Sequence, residues 1–245
     1  MKINERQLCI LNNIKSKYLI RTVVPKINNW IDKDNEDIWI RLITQIIIIQ
    51  KSEPGQKFEK RKDLHSEISY KNLSQLKSEY DAKFKINYAL REVGTRMSSS
   101  KIEKCNKTNW IYNNLIILRD RYNNPCNFVK NLSLHISNGN EDYAIELLKG
   151  LRGIGNKSAR DFLMEYGMVD NCIAIDSRIE NFLYGLGVEV DKRYSSNGKV
   201  YKFIENFIIN EICKKLNIKG IEFDRMIYQH NKNNNLVLGI GAKNL

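Results

Sequence analysis

Proline is nearly absent from this sequence: only Pro25, Pro54 and Pro125 occur in 245 residues. Proline removes a backbone donor and breaks helix interiors, so its scarcity suits a mostly helical chain with few rigid turns. Long apolar runs are missing too. The longest, Ile46 to Ile49, falls far short of the ~20 apolar residues a membrane-spanning helix requires. The opening MKINERQLCIL has neither an extended apolar core nor a small-residue cleavage site, so no secretory signal is read there. Clustered cysteines are lacking as well. The five present, Cys9, Cys105, Cys126, Cys172 and Cys213, are scattered. Their spacing suits neither a zinc site nor an iron–sulfur cluster, which needs closely grouped thiolates. A reduced cytoplasmic protein with no metal, no cofactor and no membrane partner is expected.

Acidic residues are in short supply relative to basic ones. Lysine and arginine total 40 against 28 aspartates and glutamates, a net charge of +12 with a pI near 9.4. Such a surface attracts polyanions, nucleic acid before an anionic membrane. The simpler alternative is that the charge serves only solubility. Apolar residues make up 42%, enough for a substantial core in one large domain or two intimate lobes.

In chain order, a helix is expected over Glu5 to Tyr18, then a β-leaning stretch from Leu19 to Val24 stopped by Pro25. Ile38, Trp39, Leu42, Ile43, Ile46 and Ile47 follow helical spacing, which predicts an amphipathic helix running to about Gln50. Tyr80 to Val93 reads as helix, with Gly94 its stop. Ser98 to Ser100 read as a loop or cap for a further helix reaching Tyr122, broken by Asn123-Asn124-Pro125. Another helix is expected over Phe128 to Ile136. The best boundary is Ser137 to Asn140, which separates a lobe at 31–137 from a second one made of 1–30 and 138–245. Later helices are expected over Glu141 to Lys149, Asn156 to Tyr166, Asp176 to Leu186, Val200 to Leu216 and Glu222 to Asn231.

The chemistry concentrates between Leu147 and Ile179. Gly153 and Gly155 flank Ile154 in a tight turn between two helices, with amide groups near a helix start where the dipole favours an anion. A device of this kind holds phosphate and positions a protein on DNA without reading sequence. The glycines alone are equally compatible with a plain helical hairpin. Lys157 follows, in the first turn of the next helix. There the positive potential disfavours the protonated amine, as an amine nucleophile requires; the simpler reading is a surface lysine paired with Asp161. Asp176 stands nineteen residues after Lys157. It or Ser177 also suits a helix cap, and Ser177-x-x-Glu180 forms a capping-box pattern.

Taken together, Leu151-x-Gly153-Ile154-Gly155-x-Lys157-x-Ala159 resembles the helix-hairpin-helix element of the endonuclease III and 8-oxoguanine DNA glycosylase (HhH-GPD) superfamily. Ile173-Ala174-Ile175-Asp176-Ser177-Arg178-Ile179 resembles that family's A-V-D-T-H-V segment, at the family's distance from the hairpin. Upstream, Ile46 to Gln50 resembles the family helix that ends in a glutamine facing the duplex, and Gly94 to Lys101 its glycine-then-lysine segment. The likeness covers 38–50 and 90–186.

The resemblance implies an all-α, two-lobed HhH-GPD fold, with the helix-hairpin-helix at 141–166. It implies a monomeric, nucleoid-associated prokaryotic enzyme of base excision repair acting on double-stranded DNA that contains an oxidised base. Lys157 is then the nucleophile and Asp176 the carboxylate that stabilises charge on the deoxyribose. Gly153, Ile154 and Gly155 hold the backbone, Gln50 fills the vacated stack or touches the orphaned base, and Arg178 contacts phosphate where the family often has histidine. The lysine sets the chain apart from the alkylation-repair branch, and the missing cysteine set from the usual endonuclease III branch. The compact 8-oxoguanine glycosylase/lyases remain. A cluster-free glycosylase for oxidised pyrimidines and a non-catalytic DNA-binding module stay open. Trp30, Trp39, Trp110, Tyr184, Tyr194, Tyr201, Phe203, Phe207 and Tyr228 could supply stacking for a base pocket, but most aromatics at helical spacing are core and none is singled out; the chain end at Gly241 to Leu245 is a further candidate to reach the pocket.

Overall fold

A computed structural model of the chain describes residues 2–230. The expectations for the Glu222 helix beyond His230 and for Gly241 to Leu245 lie outside the described residues. Among the described residues there is no β-strand, in agreement with the all-α expectation. The chain forms two compact units, one of Trp30–Gly155 and the other of Met1–Asn29 with Asn156–Leu245.

The unit that includes residues 2–29 opens with α1 (Glu5–Tyr18), and the helices of the Trp30–Gly155 unit follow it in the chain. Helix α2 (Asn35–Ile47) starts at a capping box between Asp34 and Asp37, and buries Trp39, Leu42, Ile43 and Ile46. The Trp39 indole N–H donates to the Ile68 carbonyl at 2.8 Å, which lets a large polar-tipped ring sit fully inside. Helix α2 ends at Ile47, earlier than its apolar pattern suggests, because the buried Lys107 ammonium takes the Ile47 and Ile49 carbonyls at 3.1 and 2.9 Å. A cation on these last carbonyls also suits the helix dipole. The charged region after Pro54, where sequence periodicity is weak, forms the short helices α3 (Glu53–Lys60), α4 (Lys62–Glu67) and α5 (Tyr70–Ser74).

Next come α6 (Glu79–Glu92) and α7 (Asn106–Tyr122), and the Ser98 hydroxyl accepts the Asn106 N–H at the start of α7. Pro125 opens α8 (Pro125–Ser137) instead of merely ending α7, because it occupies the first helical position, where no N–H is needed, and Asn124 caps it. Helix α9 (Glu141–Lys149) packs on α8, so the compact unit continues to Gly155, past the Ser137–Asn140 turn expected to divide the lobes.

In the other unit, Leu19–Arg21 is a 3₁₀ turn continuing α1 and not extended chain. Helices α10 (Asn156–Glu165), α11 (Ser177–Gly185) and α12 (Gly198–Phe207) follow. The helix expected over Val200 to Leu216 passes through a π-helical turn, Ile208–Cys213, into the short α13 (Lys214–Leu216). Helix α14 (Gly220–His230) is the last described element. Ile175, Phe182, Tyr201, Ile204, Phe223 and Ile227 are among the residues of the core.

The hairpin is built from within the first of these units. Asn114 on α7 holds the Arg152 peptide at both ends, accepting its N–H at 2.6 Å and donating to its carbonyl at 2.9 Å. Gly153 then turns the chain with φ +80°, and a Cβ there would stand 2.9 Å from Trp110 Cε3. Left-handed backbone and a ring at the Cα leave no alternative to glycine. Gly153→Ala should therefore lower stability by about 1–3 kcal/mol, read as a shift in the urea midpoint at unchanged slope. No shift would contradict this account of the turn.

Candidate active site

The candidate residues of the Asn156-containing unit converge through two different local structures. Lys157 is the second residue of α10, its side chain 29% exposed. Asp176 caps α11 from an extended conformation, its Oδ1 accepting the Arg178 N–H at 2.9 Å and the Ile179 N–H at 3.4 Å. The cap is thus Asp176 itself. Glu180, expected to complete a capping box with Ser177, instead accepts the Tyr194 hydroxyl at 2.9 Å. A carboxylate used as a cap is held in one rotamer at a helix start, and its second oxygen faces outward.

That second oxygen, Oδ2, takes the Arg178 guanidinium: Nε at 2.9 Å, with Nη2 also bonded. Arg178 in turn lies 4.2 Å above the Tyr228 ring. Lys157, Asp176, Arg178 and Tyr228 all line one small pocket, together with Asp161 and Asp224. Lys157 Nζ donates to Asp161 Oδ2 at 3.4 Å, the pairing expected from their spacing on α10. Asp161 does more than that surface pairing implies. It is buried, and its Oδ1 accepts from Arg225 on α14 at 3.1 Å. Arg225 also approaches Glu165 at 3.7 Å and Asp224 at 3.8 Å.

The extended segment Ile173 to Ile175 delivers Asp176, and buried side chains hold its backbone. Glu205 accepts the Ile173 N–H at 3.0 Å, Asp224 the Ala174 N–H at 2.8 Å, and the Tyr201 hydroxyl the Ile175 N–H at 2.7 Å. Sequence reasoning did not single out Asp224, Arg225 or Glu205. Each lies on an amphipathic helix where a charged residue is ordinarily solvated, and no sequence spacing links them to Asp176. Tyr228 stood among several aromatics, and in the structure its exposure and its place in the pocket separate it from core residues.

The other expected site residues belong to the Trp30–Gly155 unit. Gly155 is exposed, with no atom within 4 Å of where a Cβ would stand, whereas the Ile154 side chain is 6% exposed. Gln50 is exposed at φ +79°, just beyond the carbonyls that Lys107 holds. Among the described residues no group of three or more His, Cys, Asp or Glu is arranged to hold a metal ion, and no helix is long and apolar enough to cross a membrane.

Burial pushes the Asp224 carboxyl from its ordinary 3.8 up to about 7, with Asp161 and Asp176 adding to the rise and Arg225 and the Ala174 N–H opposing it. Below 3.8 both folded and unfolded chains carry that proton, and its contribution to stability is complete. Between 3.8 and about 7 the unfolded chain loses the proton while the folded chain keeps it, so stability falls as pH rises through this window. Asp224→Asn retains an acceptor for the Ala174 N–H and should flatten that part of a melting-temperature profile. An unaltered slope would refute the assignment.

No family model and no curated protein matches this sequence. Solved structures do. The 8-oxoguanine DNA glycosylase of Methanocaldococcus jannaschii matches with a TM-score of 0.62 at 21% identity, over 94% of this chain and 96% of that one. The 8-oxoguanine DNA glycosylase of Thermotoga maritima matches with a TM-score of 0.64 at 20% identity, over 93% and 98%. The M. jannaschii 8-oxoguanine glycosylase/lyase in complex with a 15mer DNA containing 8-oxoguanine matches with a TM-score of 0.60 at 23% identity, over 93% and 97%. Across nearly its whole length, the chain has the helical fold of these archaeal and bacterial 8-oxoguanine DNA glycosylases.

Proposed function

We propose that the protein is a bifunctional DNA glycosylase and abasic-site lyase of base excision repair, acting as a monomer at the nucleoid on duplex DNA with an oxidised base, 8-oxoguanine first. One observation carries the reading: an amine and a carboxylate from separate elements, Lys157 and Asp176, line one pocket beside the aromatic face of Tyr228. The shared fold and the basic surface support it.

The target nucleotide leaves the stack, since its C1′ is out of reach within a duplex. Tyr228 offers a face for the extruded base once Arg178 swings away, and Arg178 is then free to meet a phosphate. Lys157 Nζ gives up a proton to solvent and, as the neutral amine, attacks C1′; the glycosidic bond breaks with its electron pair leaving on the base, which takes up a proton. Asp176 faces the positive charge that grows on the sugar, where a fixed carboxylate lowers the barrier. Ring opening gives a Schiff base between Lys157 and C1′. Loss of a C2′ proton then expels the 3′ phosphate by β-elimination, and hydrolysis releases the lysine. Gly153, Ile154 and Gly155 present backbone for a phosphate, and Gln50 serves the space left in the duplex.

Borohydride reduces the Schiff base to a stable amine, so the intact protein should form a covalent adduct with an 8-oxoguanine duplex, and Lys157→Gln should form none. Adducts on oxidised-pyrimidine duplexes alone would shift the substrate to that class. No adduct on any oxidised duplex would sink the lyase assignment.

Asp176→Asn separates capping from chemistry. Asparagine caps a helix about as well as aspartate, so the melting temperature should hold while base release slows by about 10²-fold or more with DNA affinity nearly unchanged. A variant that loses stability but keeps its rate would reduce Asp176 to a cap.

A further inference from the structure

Three buried side chains meet between the helix of Lys157 and the segment of Asp176. Arg160, one turn along α10 from Lys157, is 4% exposed, Glu205 on α12 is 1% exposed, and so is Tyr201. The Arg160 guanidinium forks onto Glu205, with Nε to Oε1 at 2.7 Å and Nη2 to Oε2 at 2.8 Å. Glu205 Oε1 also accepts the Ile173 N–H at 3.0 Å. The guanidinium lies 4.3 Å above the Tyr201 ring. The Tyr201 hydroxyl donates to the Ile173 carbonyl at 2.8 Å and accepts the Ile175 N–H at 2.7 Å. One carboxylate and one phenol thus touch both the arginine of α10 and the peptides immediately before Asp176.

A buried ion pair is a poor source of stability, because desolvating both charges offsets most of their attraction; its best-attested use is to fix register. A network with every member satisfied is rigid, and a half-satisfied one is costly. Here the register fixed is that of the Asp176 segment against α10. Neither Tyr201 nor Glu205 lines the pocket, so neither touches the reacting atoms.

We propose that Tyr201 and Glu205 are positioning residues that set where Asp176 stands relative to Lys157. The inference rests on the catalytic reading of those two residues. Displacing a catalytic group by about 1 Å is enough to cost about 10²-fold in rate, and the loss falls on the chemical step and leaves binding alone.

Tyr201→Phe is the direct test. It keeps the ring beneath Arg160 and deletes only the two hydroxyl bonds. Single-turnover base release and borohydride trapping on an 8-oxoguanine duplex, well below the melting temperature, should slow by about 10²-fold, with unchanged Kd for a duplex carrying a non-cleavable abasic analogue. Ile14→Val, a core change on α1 that removes none of the hydrogen bonds of the segment, serves as the stability control and should keep the wild-type rate. A second variant, Arg160→Met combined with Glu205→Leu, replaces the pair with apolar groups of similar volume, as buried ion pairs tolerate, and should lose rate in the same way. Wild-type rates in Tyr201→Phe, or an equal loss in the Ile14 control, would overturn the positioning role while leaving the proposed activity intact. If the intact protein forms no adduct on any oxidised duplex, the failure lies with that activity.

Discussion

The Ile173–Ile175 segment is extended, and among the described residues there is no strand for it to pair with; this constraint organises the Asn156-containing unit. Ile173, Ala174 and Ile175 are buried, so their N–H groups must find partners within the protein. Glu205, Asp224 and Tyr201 provide them from α12 and α14. The charges that this arrangement brings inside must be balanced in turn. Arg160 answers Glu205, and Arg225 lies between Asp161, Asp224 and Glu165. The polar interior is therefore a consequence of placing a short extended segment, ending in Asp176, among helices.

The two carboxylates next to Lys157 and Asp176 differ because their surroundings differ. Asp161 carries an ammonium on one oxygen and a guanidinium on the other. Asp224 is buried, accepts one peptide N–H at bonding distance and has its pKa raised to about 7 by that burial. Arg178 bonds the outward oxygen of Asp176 and covers Tyr228. In the proposed reaction this places the same guanidinium over both the carboxylate and the aromatic face that a flipped nucleotide would use, so substrate entry and release of Asp176 are coupled through a single side chain.

The hairpin shows two glycines with different reasons for being glycine. Gly153 is required by the chain itself, through positive φ and the Trp110 ring. Gly155 meets nothing among the described residues where a side chain would stand. The pattern Gly-Ile-Gly suggests one role for both, and only the packing around each separates them.

Much of the helical architecture was legible in order and type, because helical periodicity, capping residues and rare prolines are local signals. α1, α6, α9 and α10 begin and end close to where the apolar spacing and stop residues place them. Lys157 and Asp176 came forward as candidates because their segments resemble a family's hairpin and aspartate motifs. What the sequence could not carry were relations between residues far apart along the chain. Lys107 ends α2 from sixty residues away, α9 packs with α8 on the near side of the division between units, and Pro125 starts a helix because Asn124 caps it. Glu205 and Asp224 look like solvated helix charges until α12 and α14 lie against the Ile173 segment. The sequence by itself determined most of the helices and the turn, since these depend on neighbours a few residues away, and its motifs singled out Lys157 and Asp176 as candidates. The tertiary structure alone decided their shared pocket, the aromatic beside them and the buried charges that hold them, since those depend on side chains that meet only when distant helices pack.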